Sequence, residues 1–251
     1  MKHIMFLLLL FSFTVMTACS PQHSNEVSPA SKEKTAVNKQ SSERPLLSHT
    51  TKKGANGQTI VTNPEDILVL VNKKRLLPSD YIPRDLVIPN IPWAFKENLE
   101  KKHLRKPAAS AAEKLFQKAK EEGISLIGQS GYRSYSRQKS IFAFNTKQSN
   151  KEEANQVSAI PGESEHQTGL ALDVTSPEVN YELTEEFGQT KEGIWLKEHA
   201  ADFGFIIRYQ KGKESITGYQ YEPWHIRFVG EEAAKFIVKN GLTLEQYFKR
   251  K

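Results

Sequence analysis

The sequence predicts an α+β domain in which helices flank an antiparallel sheet. Residues 108–123 have the 3.6-residue apolar period of an amphipathic helix. Residues 170–174 and 222–228 instead alternate in side-chain character with a period of two, as strands do. Helical and strand patterns are mixed along the chain without regular strand–helix–strand alternation, which favours an α+β architecture with an antiparallel sheet.

The first half of the folded part contains four predicted elements. An apolar stretch at residues 67–78 predicts a short strand or turn that ends at a proline. The helix at 108–123 has one apolar face and ends at a glycine. A strand from Ile124 runs into a turn at Gly131, and a second helix begins after Ser134, whose hydroxyl can cap it.

The second half adds strands and helices of similar length. The predicted strands are residues 170–174, 205–209 and 222–228, and the predicted helices are residues 195–204 and 231–241. Thr243 and Gln246 then have the spacing of a capping box, which predicts one more helix at the end of the chain.

The N-terminal part carries the signals of export. Residues 1–18 have a basic start, an apolar block and small residues at the end, as a secretory signal peptide does. Cys19, the only cysteine, follows directly; this resembles the bacterial lipobox, and we predict a lipoprotein signal peptide with lipidation of Cys19. An ordinary signal peptide with an incidental cysteine is the alternative. Residues 19–57 are polar and predict a disordered tether, which leaves 58–251 as one domain.

Composition and these signals predict the setting of the protein. A single cysteine excludes an internal disulfide. The net charge of +6 is spread along the chain without a dense basic run, so we expect no nucleic-acid partner. We expect an exported monomer that is lipid-anchored on the outer face of the cell membrane, on the cell-wall side, in a Gram-positive source.

Two polar residues in the predicted strands suggest a metal site. Asp173 lies mid-strand, where an unpaired carboxylate is costly to bury. His225 lies on the polar side of its own strand. If the two strands are neighbours in one sheet, their polar sides face a common cleft, and His166, Asp173 and His225 lie within reach of one another. Two imidazoles and one carboxylate suit Zn²⁺ and leave a fourth position for water. Glu222, three residues before His225, is then a candidate general base. The alternative for each histidine is a packed or surface residue.

Three motifs add a family resemblance. SGYRS (130–134), SEHQTGLALDV (164–174) and EPWHIRF (222–228), in this order, resemble those of the VanY-like zinc carboxypeptidases, which remove a terminal D-Ala from peptidoglycan stem peptides. The resemblance extends from about residue 67 to the C-terminus. It implies a VanY-like, hedgehog-type peptidase fold with a zinc site in a cleft on the sheet, and residues 58–251 as the zinc carboxypeptidase domain.

The resemblance also implies roles for single residues. It assigns one Zn²⁺ per chain to His166, Asp173 and His225, and the catalytic base to Glu222. Arg133 would contact the substrate and stabilise the oxyanion. A planar guanidinium fork suits that role, because it can meet charge that develops on the scissile carbonyl.

Two further residues match positions that help to bind the end of the substrate in the family. They are Ser164, in the second motif, and Gln138, which follows the first. Peptidoglycan stem peptides are therefore the expected partners.

Three alternatives bear on the activity. A serine peptidase would need more than the S-x-x-K pattern at 136–139, which recurs by chance at 31–34; no K-T-G or S-x-N triplet accompanies it, so this mechanism is discarded. A catalytically silent lipoprotein that binds cell-wall peptide would be expected to lack the base, and Glu222 is present. The motifs leave open whether the activity is D,D- or L,D-specific.

Overall fold

The sheet that carries the polar motifs has four antiparallel strands. In the computed structural model, which describes residues 47–148 and 159–249, these strands are β5 (Ile127–Ser130), β6 (Ala171–Thr175), β7 (Phe205–Tyr209) and β8 (Glu222–Phe228). Their order is β5-β6-β8-β7, and every neighbouring pair is antiparallel. The two strands with the polar motifs, β6 and β8, are therefore adjacent at the centre.

Two short hairpins precede this sheet. The first pairs β1 (Thr51–Lys53) with β2 (Thr59–Val61), and the second pairs β3 (Leu86–Val87) with β4 (Leu104–Arg105). The apolar stretch at 67–78 forms turns with two isolated bridges, and Val69 and Val71 in it are buried.

The described residues include six α-helices as well as short 3-10 turns. The helices are α1 (Lys106–Glu121), α2 (Tyr135–Gln148), α3 (Lys191–His199), α4 (Glu214–Thr217), α5 (Glu231–Lys239) and α6 (Leu244–Lys249). Ser134 accepts a hydrogen bond from the backbone N–H of Arg137, and Thr243 and Gln246 make both bonds of the predicted capping box. Within the described ranges, no helix has the length and apolar character needed to cross a bilayer.

The sheet separates an apolar core from a polar site. Leu172 of β6, Ile226 of β8 and Phe205 of β7 belong to one buried cluster, which also contains the apolar face of α1. The alternate residues Asp173 and His225 lie on the opposite face, because successive side chains of a strand point to opposite sides. All five residues of β6 are nevertheless buried, whereas the alternation predicted a half-buried strand. The reason is that the polar face of this central strand is covered as well.

The ordered fold begins earlier than the predicted domain boundary at residue 58. β1 lies within the predicted tether, residues 19–57, and pairs with β2. Arg75 donates hydrogen bonds to the carbonyl of Leu47 and to the hydroxyl of Thr50, which fixes the approach to the hairpin. Backbone pairing and a single arginine hold this polar segment, so its composition alone did not reveal it. Residues 1–46, with the predicted signal peptide and Cys19, lie outside the described residues.

Gly169 sets the turn that leads into β6. Its φ is +66°, and a Cβ there would lie 2.9 Å from Leu86 Cδ2 and 3.0 Å from Arg105 Cγ. We expect Gly169→Ala to lower the free energy of unfolding by about 3 kcal/mol, as the sum of left-handed strain and overpacking. Urea unfolding measures the loss.

Gly212→Ala is the matched control for this change. Gly212 has a similar φ of +79° but open space around its Cβ position, so only strain of about 1–2 kcal/mol is expected. Equal losses at the two positions would show that close packing does not restrict Gly169.

Candidate metal centre and active site

Register and a tight turn bring the three predicted metal ligands together. Asp173 of β6 stands directly opposite His225 of β8. His166 lies in the 3-10 turn Glu165–Thr168, and Gly169 returns the chain from that turn into β6. One ligand atom from each of His166, Asp173 and His225 lies within 4.8 Å of the others, and all three residues are buried. Of the described residues, only these form such a group.

The two imidazoles face the same carboxylate. His166 Nε2 lies 3.2 Å from Asp173 Oδ2, and His225 Nδ1 lies 3.0 Å from Asp173 Oδ1. The other ring nitrogen of His166, Nδ1, lies 2.7 Å from the carbonyl oxygen of Gly131. Because a carbonyl only accepts, Nδ1 carries the proton and Nε2 offers its lone pair towards Asp173. Two imidazole nitrogens and a carboxylate oxygen at this spacing form a donor set that fits zinc.

Burial and charge pairing shift the pKa values in this cluster. Burial opposes ionisation of Asp173, but the facing imidazoles hold the pKa of its carboxyl well below the ordinary value. Burial lowers the pKa of His166. Burial also opposes the charge on His225, but the facing carboxylates of Asp173 and Glu165 raise its pKa to about 9. The cluster therefore keeps an anionic carboxylate in a buried position, which favours a cation beside it.

Glu222 lies at the start of β8, next to this cluster. Its Oε2 atom is 3.8 Å from His225 Nδ1. Burial raises the pKa of Glu222 to about 7. A carboxyl that titrates near neutral pH can both accept and return a proton, which is what a general base that later acts as an acid requires.

Arg133 approaches the cluster from the turn after β5. Its Nη1 donates to Gln138 Oε1 at 2.9 Å, and its backbone N–H donates to the carbonyl of His166. Gln138 Nε2 donates in turn to the carbonyl of Ala159. The structure thus places Gln138 behind Arg133, where its amide orients the guanidinium.

A cleft of about 260 Å³ connects these residues. His166, Asp173, Glu222, His225, Arg133 and Ser164 all line it, whereas Gln138 does not. Residues to which the sequence patterns assigned no role form the remaining wall. They are Ile141 and Asn145 of α2, together with Ala159, Glu165, Leu183, Tyr209, Tyr219 and Trp224. A second cavity, of about 600 Å³, shares Arg133 and Asp173 with the first, so the cleft continues past the guanidinium.

Among the residues of the site that sequence reasoning missed, Glu165 is a buried charged residue. It lies between Ser164 and His166 in the second motif and is wholly buried with Arg208 and Arg227. The available signal was Arg227, which shares the polar side of its strand with His225 and lies between two large apolar residues. A charge in that position indicates a buried partner of opposite sign.

Glu163, which lies just before the turn Glu165–Thr168, is expected to make the stability of the protein depend on pH. Burial raises the pKa of its carboxyl from an ordinary value of 4.5 to about 7. A backbone hydrogen bond from Ile160 and the charge of Lys73 act in the opposite direction but are weaker. The folded protein therefore binds more protons than the unfolded chain between these values, and its stability falls as the pH rises through that window. Between pH 5 and pH 8, the free energy of unfolding of Glu163→Gln is expected to rise by about 1–2 kcal/mol relative to that of the parent protein, after allowance for solvent screening.

Denaturant unfolding at the two pH values measures this gain. Glu178→Gln, at an exposed position, is the control and should show no such trend. A difference between the Glu163→Gln and parent proteins that stays constant with pH would contradict the prediction.

Comparisons with known proteins agree with this geometry. The family model described as VanY, D-alanyl-D-alanine carboxypeptidase, matches residues 101–231. YodJ of Bacillus subtilis (strain 168), a protein named for carboxypeptidase activity, is 50% identical over 198 residues, which are 79% of this chain and 72% of YodJ.

Two solved structures are similar in fold. The LD-carboxypeptidase LdcB superposes with a TM-score of 0.76 at 51% identity, over 78% of this chain and 92% of LdcB. The D,D-pentapeptidase VanY from a VanB-type resistance cassette, solved in complex with Zn(II), superposes with a TM-score of 0.58 at 33% identity, over 72% of this chain and 98% of that one. These matches establish that the fold combines α-helices with an antiparallel β-sheet, and that the protein is a peptidase. The chain belongs to the VanY family of D-alanyl-D-alanine carboxypeptidases.

Proposed function

We propose that this protein is a zinc-dependent carboxypeptidase that removes the terminal D-Ala from peptidoglycan stem peptides. The observation that carries the proposal is the convergence of His166, Asp173 and His225, within 4.8 Å, at the base of a cleft. The Zn(II) complex of the related VanY and the peptidoglycan recognition described for LdcB support it. One zinc ion per chain is held by these three residues.

The side chains around the site have distinct roles in this proposal. Bound zinc supplies Lewis-acid chemistry, which lowers the pKa of water and polarises a carbonyl. Glu222 takes the proton from the attacking water and returns it to the leaving amine. Arg133 donates hydrogen bonds to the oxyanion that develops on the scissile carbonyl. Ser164 binds the end of the substrate in the cleft, and Gln138 acts through Arg133.

We infer that the activity is L,D-specific, because similarity to the LD-carboxypeptidase is higher. LdcB shares 51% identity with this chain at a TM-score of 0.76, against 33% and 0.58 for the D,D-pentapeptidase VanY. Mass spectrometry of the products from defined tetrapeptides and pentapeptides distinguishes the two. D-Ala should be released from the tetrapeptide; release from the pentapeptide alone would assign the D,D activity.

The setting of the enzyme is part of the same proposal. The signal peptide, the lipidated Cys19 and the tether would place a monomeric enzyme on the outer face of the membrane, facing the cell wall. Mass spectrometry of the N-terminal peptide from membrane fractions tests the lipid. An unmodified Cys19 on the mature chain would contradict the anchor.

The zinc dependence is tested by removing and restoring the metal. The purified protein should release D-Ala from stem peptides, lose that activity after treatment with a chelator, and recover it on addition of zinc. Binding of stem peptides without D-Ala release, in zinc-loaded protein, would favour the catalytically silent alternative. Activity that persists in metal-free protein would overturn the role of zinc.

A further inference from the structure

A second buried carboxylate, that of Glu165, lies beside the metal centre and lines the same cleft. Glu165 Oε1 accepts hydrogen bonds from Arg208 Nε at 2.8 Å and from Arg227 Nη1 at 2.6 Å. The side chains of all three residues are fully buried. Two guanidinium groups that donate to the same carboxylate oxygen favour the anionic form of Glu165 in this buried position.

The second oxygen of Glu165 faces a metal-site histidine. Glu165 Oε2 lies 3.7 Å from His225 Nε2. Neither atom has a hydrogen-bond partner at closer range among the described residues. The other ring nitrogen of His225, Nδ1, faces Asp173 at 3.0 Å. The two nitrogens of this imidazole thus face two different carboxylates, those of Asp173 and Glu165.

We propose that Glu165 is a positioning residue that sets the tautomer and ring orientation of His225. A carboxylate can only accept, so it favours the form of His225 that carries its proton on Nε2. Asp173, at 3.0 Å from Nδ1, favours the opposite tautomer in the metal-free protein. A cation held between Nδ1 and Asp173 would take the Nδ1 lone pair, and Glu165 then holds the remaining proton on Nε2. Metal-ligating histidines commonly donate their second N–H to such a partner, which orients the ring and raises its basicity.

The arginines explain why Glu165 can hold this position. Arg227 also donates to the carbonyls of Ile67 and Val69, and Arg208 forms two further bonds with Glu245 of α6. Each guanidinium is fixed by partners on another element, and each can only donate. The arginines therefore keep Oε1 occupied and leave Oε2 directed at His225.

Glu165→Gln keeps the shape of the side chain but replaces the acceptor that faces His225 with a donor. Because both arginines demand an oxygen, the amide oxygen takes the place of Oε1 and the NH₂ group points at His225 Nε2. A donor there favours the proton on Nδ1, which removes the lone pair from the metal side. We expect the zinc dissociation constant to rise about 10–100-fold, as for other partners behind metal ligands. Competition titration with a chromophoric chelator measures it.

Glu245→Gln is the matched control. It removes the same charge from the same arginine network, but Glu245 pairs with Arg208, whereas the carboxylate that faces His225 Nε2 is that of Glu165. Its zinc affinity should stay within about threefold of the parent, whatever its effect on stability. If Glu165→Gln binds zinc as tightly as the parent, or loses no more affinity than Glu245→Gln, the positioning role is overturned.

Imidazole nitrogen NMR of the zinc-loaded parent protein gives a second readout that needs no variant. It should show His225 coordinated through Nδ1, with a slowly exchanging proton on Nε2. Coordination through Nε2 would overturn the inference even if Glu165→Gln failed to fold. The inference rests on the proposed zinc site, and the two failures are distinct: a parent protein that binds no zinc refutes the proposed function itself, whereas a parent that binds zinc regardless of Glu165 refutes only this role.

Discussion

A Glu222→Gln protein is expected to bind zinc with the affinity of the parent and to release D-Ala about 10²–10⁴ times more slowly. Gln has the same shape but cannot accept a proton from water. Burial raises the pKa of Glu222 to about 7, close to the value that serves a base working at neutral pH. The residue lies beside His225 without belonging to the ligand group, so the metal should remain.

Steady-state kinetics on a defined stem peptide, together with metal analysis of the same sample, check this result. Glu232→Gln, at an exposed position of α5, is the matched control and should keep full turnover. Near-normal activity in a zinc-loaded Glu222→Gln protein would exclude Glu222 as the base.

The second large effect is expected at Asp173. Asp173→Asn should weaken zinc binding by about 10²–10³-fold, because a few ligands share a binding free energy of about 10–16 kcal/mol. The carboxylate faces both imidazoles, at 3.0 and 3.2 Å, and supplies the anionic ligand of the set. Turnover at limiting zinc should fall in parallel and recover in part when zinc is in excess.

Elemental analysis after dialysis against a buffer of fixed zinc concentration measures the occupancy. Asp202→Asn, at an exposed position, provides the comparison. Full zinc occupancy in the Asp173→Asn protein would remove Asp173 from the ligand set and with it the proposed centre.

Sequence patterns located most of the sheet because the relevant signals are local. The strands predicted at Phe205–Tyr209 and 222–228 correspond to β7 and β8 without a shift in bounds. Ser134 and the pair Thr243 and Gln246 were identifiable as caps because a cap is satisfied by backbone groups within a few residues.

What the patterns could not show depends on partners distant in sequence. The mid-strand position of Asp173 predicted either exposure to solvent or a positive neighbour, but alternation reports only the side of a strand, not what covers that side. Glu165 meets Arg208 and Arg227 across separations of 43 and 62 residues. Gln138 matched a substrate-binding position of the family, and only the fold revealed that its amide is engaged with Arg133 and Ala159.

The placement of the centre on two interior strands has a thermodynamic consequence. Asp173 and His225 are 52 residues apart in the chain, and they meet only when β6 and β8 pair. The extended chain offers no comparable chelate, so a cation that occupies the centre binds almost exclusively to the native state. At a free concentration of 1,000 times its dissociation constant, such an ion adds about 4 kcal/mol to the stability of the molecule. A catalytic ion bound there would then also stabilise the pairing of the two middle strands of the sheet.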